Sequence, residues 1–257
     1  MGVGDLGAES MAVLIVAAFL TAALSAIVGM AGGITLLAIM LLFLEPLIAI
    51  PVHGVVQLVS NGSRAWIQRA HIRRDIAWRY ALLLLPMGFA GLVVAENLPP
   101  EVMRASIGVF SLLATWAPRF LLLGAHPEDA GMQRRFVTLG AVAGFLNVSI
   151  GATGPLIAPF FLNLGLTRFA LIGTKAACQM LGHLAKLFVF GTVGFAFGQY
   201  ALLLALLAAV VISGTWVGSQ LLRRVNERAF TILYKSVLTL IALRLVVMEL
   251  VDSITLG

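Results

Sequence analysis

The sequence predicts an all-α integral membrane protein made of two inverted structural repeats. Each repeat is expected to hold three full transmembrane helices plus a broken or re-entrant helical hairpin. Three observations carry this expectation. The chain is 61% hydrophobic and 11% charged, with a mean hydropathy of +1.05. A soluble domain is roughly 25% charged, so most of this surface cannot face water. Apolar runs long enough to span a bilayer recur along the chain. Finally, a glycine-broken run followed by a polar helix face is made twice. Gly29-Met30-Ala31-Gly32-Gly33 precedes His53, Gln57, Asn61 and Arg64; Gly151-Ala152-Thr153-Gly154-Pro155 precedes Lys175, Gln179, His183 and Lys186. The second set lies 122 positions after the first (53 to 175, 64 to 186).

Residues 11–28 are apolar apart from Thr21 and Ser25, and reach about 27 Å at 1.5 Å per residue. Three glycines in the next five residues permit a helix break. Residues 34–44 are apolar but about half a bilayer long. Glu45-Pro46 reads as a turn, and 47–61 as a second short piece, so the pair suggests a re-entrant or broken hairpin. Non-helical backbone at membrane depth survives only where it is buried in protein or lines a wet cavity. Arg64, Arg69, His71, Arg73, Arg74 and Arg79 around Trp66 and Trp78 then form a basic, aromatic-flanked loop. Residues 80–98 and 102–123 read as spans joined by Leu98-Pro99-Pro100-Glu101. Residues 124–135 are a polar linker.

The second half repeats this order: 136–150 matches the first run, 154–167 the first half-helix and 169–190 the polar-striped piece. Spans follow at 200–222 and 230–251, separated by Arg223-Arg224-Val225-Asn226-Glu227-Arg228. The domains are therefore a first repeat, 1–123, a cytoplasmic linker, 124–135, and a second repeat, 136–257. An odd number of crossings per half inverts the second copy. Alternate sides then place the basic loop, the linker and the 223–228 turn together, and positive-inside makes that side cytoplasmic. The other side collects Asp5, Glu9, Glu96, Glu101, Arg104 and Asp252, so both termini are expected in the periplasm. The acidic residues 1–10 do not resemble the basic start of a cleaved signal peptide.

The formal charge of +6 and pI near 10.2 follow from this loop asymmetry, and no nucleic-acid partner is expected. Cys178 is the sole cysteine, which excludes an intrachain disulfide and a cysteine metal cluster. No metal and no cofactor are expected.

Positions 53, 57, 61 and 64 share one helical face, as do 175, 179, 183 and 186. Inversion would bring the two faces together near the midplane. All eight side chains can donate hydrogen bonds, and none is a carboxylate. Between residues 11 and 74 the sole acid is Glu45, and none occurs between 136 and 226. A cation carrier needs acids, so this pattern points to an anion. Helix N-termini after Gly33 and Pro155 would add N–H groups and positive dipole ends, with Pro155 suited to a first helical position. Plainer roles compete with these. Gln57 and Gln179 are also suited to joining helices, Arg64 and Lys186 to reaching for headgroups, and His53 and Lys175 to the interface. Gly29 and Gly33 are spaced for close packing. Cys178, beside Gln179, is a candidate thiol or a core residue.

Gly29-Met30-Ala31-Gly32-Gly33, Gln57-Leu58-Val59-Ser60-Asn61-Gly62-Ser63-Arg64 and Gly151-Ala152-Thr153-Gly154-Pro155 resemble the sulfite exporter TauE/SafE family. The resemblance covers nearly the whole chain, and members of that family carry two such repeats. It implies a bacterial inner-membrane, multi-pass exporter of a small sulfur-containing anion, sulfite or an organosulfonate such as sulfoacetate. The substrate-binding candidates are Gln57, Asn61, Arg64, Gln179, His183, Lys186, Gly32, Gly33, Gly154 and Pro155. His53, Lys175 and Cys178 are candidates for substrate contact or coupling. His183 in place of Asn61, and Pro155 in place of Gly33, make the site asymmetric.

The function expected is alternating access driven by a gradient, since no G-x-x-x-x-G-K-[ST] motif is present. Two alternatives stand beside it. One is an anion channel on the same scaffold; the other is an intramembrane enzyme using Ser60 or Ser63 with His183. The expected partners are a small anionic substrate and the lipid bilayer, with a homodimer left open.

Overall fold

A computed structural model describes residues 6–28, 32–122, 124, 126–161, 164–221 and 227–255. Eleven α-helices follow in order: α1 (Ala8–Val28), α2 (Gly32–Met40), α3 (Pro46–Ile67), α4 (Arg74–Ala81), α5 (Leu84–Asn97), α6 (Pro100–Trp116), α7 (Met132–Ser149), α8 (Gly154–Ile157), α9 (Arg168–Thr192), α10 (Ala201–Leu221) and α11 (Glu227–Thr255). Among the described residues there is no strand. Ala8–Ala26 and Phe197–Leu221 are each long and apolar enough to cross a membrane, and α4 with α5 makes a third candidate bent by 41°.

Several boundaries differ from the sequence reading, for identifiable reasons. The expected short piece 47–61 is a 22-residue helix that continues to Ile67. Its last turn holds because Arg64 bonds back to Ser60 O and Asn61 Oδ1. The expected span 80–98 is interrupted at Leu82–Leu83. Pro86 has no N–H for the Leu82 carbonyl, and its ring disfavours a continuous helix there. The expected half-helix 154–167 shrinks to the four residues of α8 plus a 3-10 turn, Ala158–Phe161. Pro159 ends it by the same chemistry. Residues 29–31 of the first break, Arg223 and Arg224, and Asp5 lie outside the described residues.

Four helix pairs build the core. Gly214 and Gly218 lay α10 against the Phe19 and Ala23 carbonyls of α1, the two helices running parallel. Gly91 and Gly144 set α5 against α7 in the same way, facing Phe145 and Leu84, again parallel. α3 and α9 run antiparallel: Gly173 meets Gln68, Gly62 meets Met180, and Gly54 meets Lys186 and Leu187. α6 and α11 are also antiparallel, with Gly108 on Ala242 and the Trp116 indole N–H donating to Thr239 Oγ1 at 2.9 Å. Small residues let the backbones approach closely, and in lipid that packing supplies the association that hydrophobic burial supplies in water.

Polar contacts tie the halves to one another and brace one turn. Arg73 N–H donates to Thr174 Oγ1 at 3.0 Å, and Arg79 Nε to Gln133 Oε1 at 2.9 Å. Glu45 pairs with Arg104 at 2.7 Å, at the turn between α2 and α3.

Candidate functional site

The antiparallel α3–α9 pair carries both polar stripes inward. His53, Asn61, Lys175, His183 and Lys186 are all buried, and Gln57 is 6% exposed. At their junction lies a cavity of about 20 Å³, room for roughly one water. Ser25, Gly33, Ile34, His53, Gln57 and Arg64 line it from the first half, and Ala152, Thr153, Gly154, Gln179 and His183 from the second. Among these described lining residues there is no carboxylate.

Hydrogen bonding fixes how the first stripe faces the cavity. The Arg64 guanidinium donates to Asn61 Oδ1 at 2.8 Å, so the Asn61 amide must present Nδ2 on its other side. That Nδ2 donates to Gln57 O at 2.9 Å and approaches Gln57 Oε1 at 3.4 Å. The acceptor end of Gln57 is thereby engaged, and its Nε2 donor is left for the cavity. Gly33 makes room for this amide, since a Cβ there would stand 3.2 Å from Gln57 Oε1. The stripe is a relay, Arg64 to Asn61 to Gln57, that delivers N–H groups to the interior.

The histidines sit opposite each other, ring centroids 5.9 Å apart at 81°. His53 Nε2 donates to Gly33 O at 2.8 Å. A carbonyl only accepts, so Nε2 bears the proton; Nδ1 makes no well-formed hydrogen bond, with the Gly151 backbone beside the ring. His183 Nδ1 is likewise buried without one. The Gln179 side chain makes no hydrogen bond to a described residue, leaving both ends of its amide for the cavity.

Two cations hold the backbone at the breaks. Arg64 Nη1 donates to Ser25 O at 3.2 Å, near the end of α1. Lys186 Nζ donates to Gly151 O at 2.8 Å, just beyond α7. Gly151 adopts φ +89° there, a left-handed conformation that glycine takes without steric penalty.

The structure thus brings Gln57, Arg64, Gln179, His183, His53, Gly33 and Gly154 to one cavity. Asn61 stands behind Gln57. Lys186 does not line the cavity, nor does it reach for headgroups, because its ammonium is buried on Gly151. Lys175 is buried close to Arg64. Gly32 packs against Thr21 and Ser25, bringing α2 onto α1, and does not line the cavity. Pro155 is the second residue of α8, and its ring lies outside the described side chains. A four-residue helix has too few aligned peptides for a macrodipole, so the expected dipole end after Pro155 is not available. Cys178 packs with Ile76, Tyr80 and Phe136 on the far side of α9, as a core residue. Ser63 Oγ bonds to Val59 O at 2.8 Å and Ser60 Oγ has no partner, so neither serine is hydrogen-bonded to a histidine base.

Sequence reasoning missed Ser25 and Thr153 as lining residues. A signal for Ser25 was present: it is one of two polar residues in the first run, and polar Asn147 stands 122 positions after it.

No curated protein and no solved structure matches the chain. Residues 14–245 match the family model described as Sulfite exporter TauE/SafE. With that match spanning most of its length and its apolar helices suited to a bilayer, the chain belongs to the sulfite exporter TauE/SafE family of membrane transporters.

Proposed function

We propose that the protein exports a small sulfur-containing anion across the bacterial inner membrane by alternating access, with the anion held between α3 and α9. The observation that carries this reading is a single cavity lined from both halves by hydrogen-bond donors and by no described acid. Gln57 Nε2, Arg64, Gln179 and the histidines supply the donors. An anion buried there replaces its hydration with fixed N–H groups. A buried cation would find no charge to pair with. The volume of about 20 Å³ holds roughly one water, so a sulfite or a sulfonate headgroup enters only as α3 and α9 move apart. A cavity of that size also suits the closed step of a carrier better than the conducting state of a channel.

The inverted-repeat reading rests on the packing. If α1, α3, α5 and α6 correspond to α7, α9, α10 and α11, a two-fold in the membrane plane pairs α3 with α9 and α6 with α11 antiparallel. The same axis turns the parallel pair α1–α10 into the parallel pair α7–α5. All four pairs occur. On this reading α3 and α9 also cross the membrane, their polar residues turned onto one another rather than toward lipid. Both termini are then periplasmic, and the basic loop around Arg73 and Arg79 is cytoplasmic. Coupling to a gradient would run through the imidazoles of His53 and His183, which face each other across the same cavity.

The test is a thermal-shift panel on purified protein with sulfite, sulfate, thiosulfate, sulfoacetate, taurine and small carboxylates. A ligand that binds the folded form stabilises it by RT ln(1 + [L]/Kd). Sulfite is expected to give the largest shift. Shifts of equal size from every anion, or none from any, would contradict the reading.

A further inference from the structure

Two lateral crevices flank the cavity, and they are copies of each other. One, of about 740 Å³, lies between α1, α2, α10 and α11. The other, of about 480 Å³, lies between α5, α6, α7 and α8. Phe19, Leu20, Ala23 and Leu24 line the first; Ala141, Val142, Phe145 and Leu146, each 122 positions on, line the second. Each crevice also touches the short helix of its own half, at Ile39 of α2 or Leu156 of α8. Both volumes lie in the range of roughly 300–1,000 Å³ typical of ligand sites.

The walls determine the chemistry of the occupant. They are almost wholly apolar, and the Thr21 hydroxyl in the first is already bonded to Ala17 O at 2.7 Å. Water needs two to four polar partners to be held in a buried site, so these spaces do not suit it. Both open outward, with Leu20 58% and Val142 38% exposed. An apolar ligand from the surroundings remains, either a lipid chain or a second copy of the protein. Protomers that share one orientation in a membrane form a two-fold dimer only about the membrane normal. Such an interface reaches one crevice of an inverted pair and leaves the other uncovered. Acyl chains are supplied by both leaflets and reach both.

We propose that each crevice binds one phospholipid acyl chain, the two chains coming from opposite leaflets and lying against α2 and α8. The assignment to opposite leaflets rests on the inverted-repeat reading; the binding of chains does not.

The full chain, reconstituted in phosphatidylethanolamine–phosphatidylglycerol vesicles and extracted in mild detergent, is examined by native mass spectrometry. The expected species is protein carrying two phospholipids. Leu20→Trp and Val142→Trp, which fill one crevice each, should each remove one lipid, and the double variant both. Should bulk prevent folding, Leu20→Ser and Val142→Ser must lower retention in the same one-each pattern. Lipid-free wild-type protein, retention unchanged by both pairs of variants, or a dimer in which both lipids are lost would overturn the proposal. Thiol labelling of Trp66→Cys and Val193→Cys from the two sides reads the inversion separately. Two lipids with both thiols on one side would remove the leaflet assignment alone. Opposed thiols without lipid would remove the chain sites alone.

Discussion

Arg64 and Lys186, 122 positions apart, do the same structural work: each donates to a backbone carbonyl beside one of the two chain breaks, Ser25 O at 3.2 Å and Gly151 O at 2.8 Å. A helix end leaves carbonyls without intrahelical partners and carries a partial negative charge. A cation on the neighbouring helix satisfies both. Arg64 additionally lines the cavity, whereas Lys186 does not. The matched pair therefore has one shared role in holding the breaks and one role unique to the first half.

Lys186→Met keeps the volume and removes the donor, leaving the Gly151 carbonyl unpaired in a buried setting. Loss of such a partner costs about 1–3 kcal/mol. The variant should unfold at lower temperature in detergent while retaining most of its sulfite-induced thermal shift. Loss of the sulfite shift with unchanged basal stability would reassign Lys186 to the substrate.

Asn61→Asp tests the relay. An aspartate accepts from Arg64 as well as Asn61 does, but it has no Nδ2 for Gln57 Oε1. The Gln57 amide then turns its Nε2 toward residue 61 and presents an acceptor to the cavity. Sulfite affinity should fall at least tenfold; the Arg64 contact is kept, but the carboxylate loses the bond to Gln57 O, so the melting temperature should fall as well. Asn61→Ala should weaken affinity less, since it leaves Gln57 free to rotate.

Trp66 and Val193 are exposed at the C-terminal ends of α3 and α9, and Cys178 is fully buried. Cysteines at these two positions should react with a membrane-impermeant thiol reagent from opposite sides, Trp66→Cys from the cytoplasm and Val193→Cys from the periplasm. Labelling of both from one side would contradict the inversion.

Gly91 and Gly218 face the Phe145 and Ala23 carbonyls so closely that a Cβ at either has no space. Leucine at either site must force the helices apart, and overpacking of this kind costs about 1–3 kcal/mol. Gly91→Leu and Gly218→Leu should lower the melting temperature by similar amounts, as exchange-related sites would. Gly131→Leu, in open space before α7, should not.

The lining of this cavity is legible in the sequence because similar residues recur at a constant offset of 122. The spacing 53, 57, 61 and 64 fixed one helical face, and that face lines the cavity with Gln57 and Arg64. What the spacing could not carry was direction of hydrogen bonding: nothing in the order of residues says that Asn61 serves Gln57, or that Lys186 serves a carbonyl. Hydropathy does not register prolines inside apolar runs. Pro86 and Pro159 each cut a segment whose hydropathy reads as continuous. Trp66 stands among the arginines of a stretch that reads as a basic loop, yet the helix persists through it to Ile67, since Arg64 bonds along its own helix.

On the proposed function, a donor-lined space between α3 and α9 holds the exported anion. Sulfite flux from loaded proteoliposomes, measured for the parent and for Gln57→Leu/Gln179→Leu at equal reconstituted protein and matched melting temperature, tests it most directly. The double variant should carry less than a tenth of the parental flux. Parental flux in a folded double variant would place the anion elsewhere.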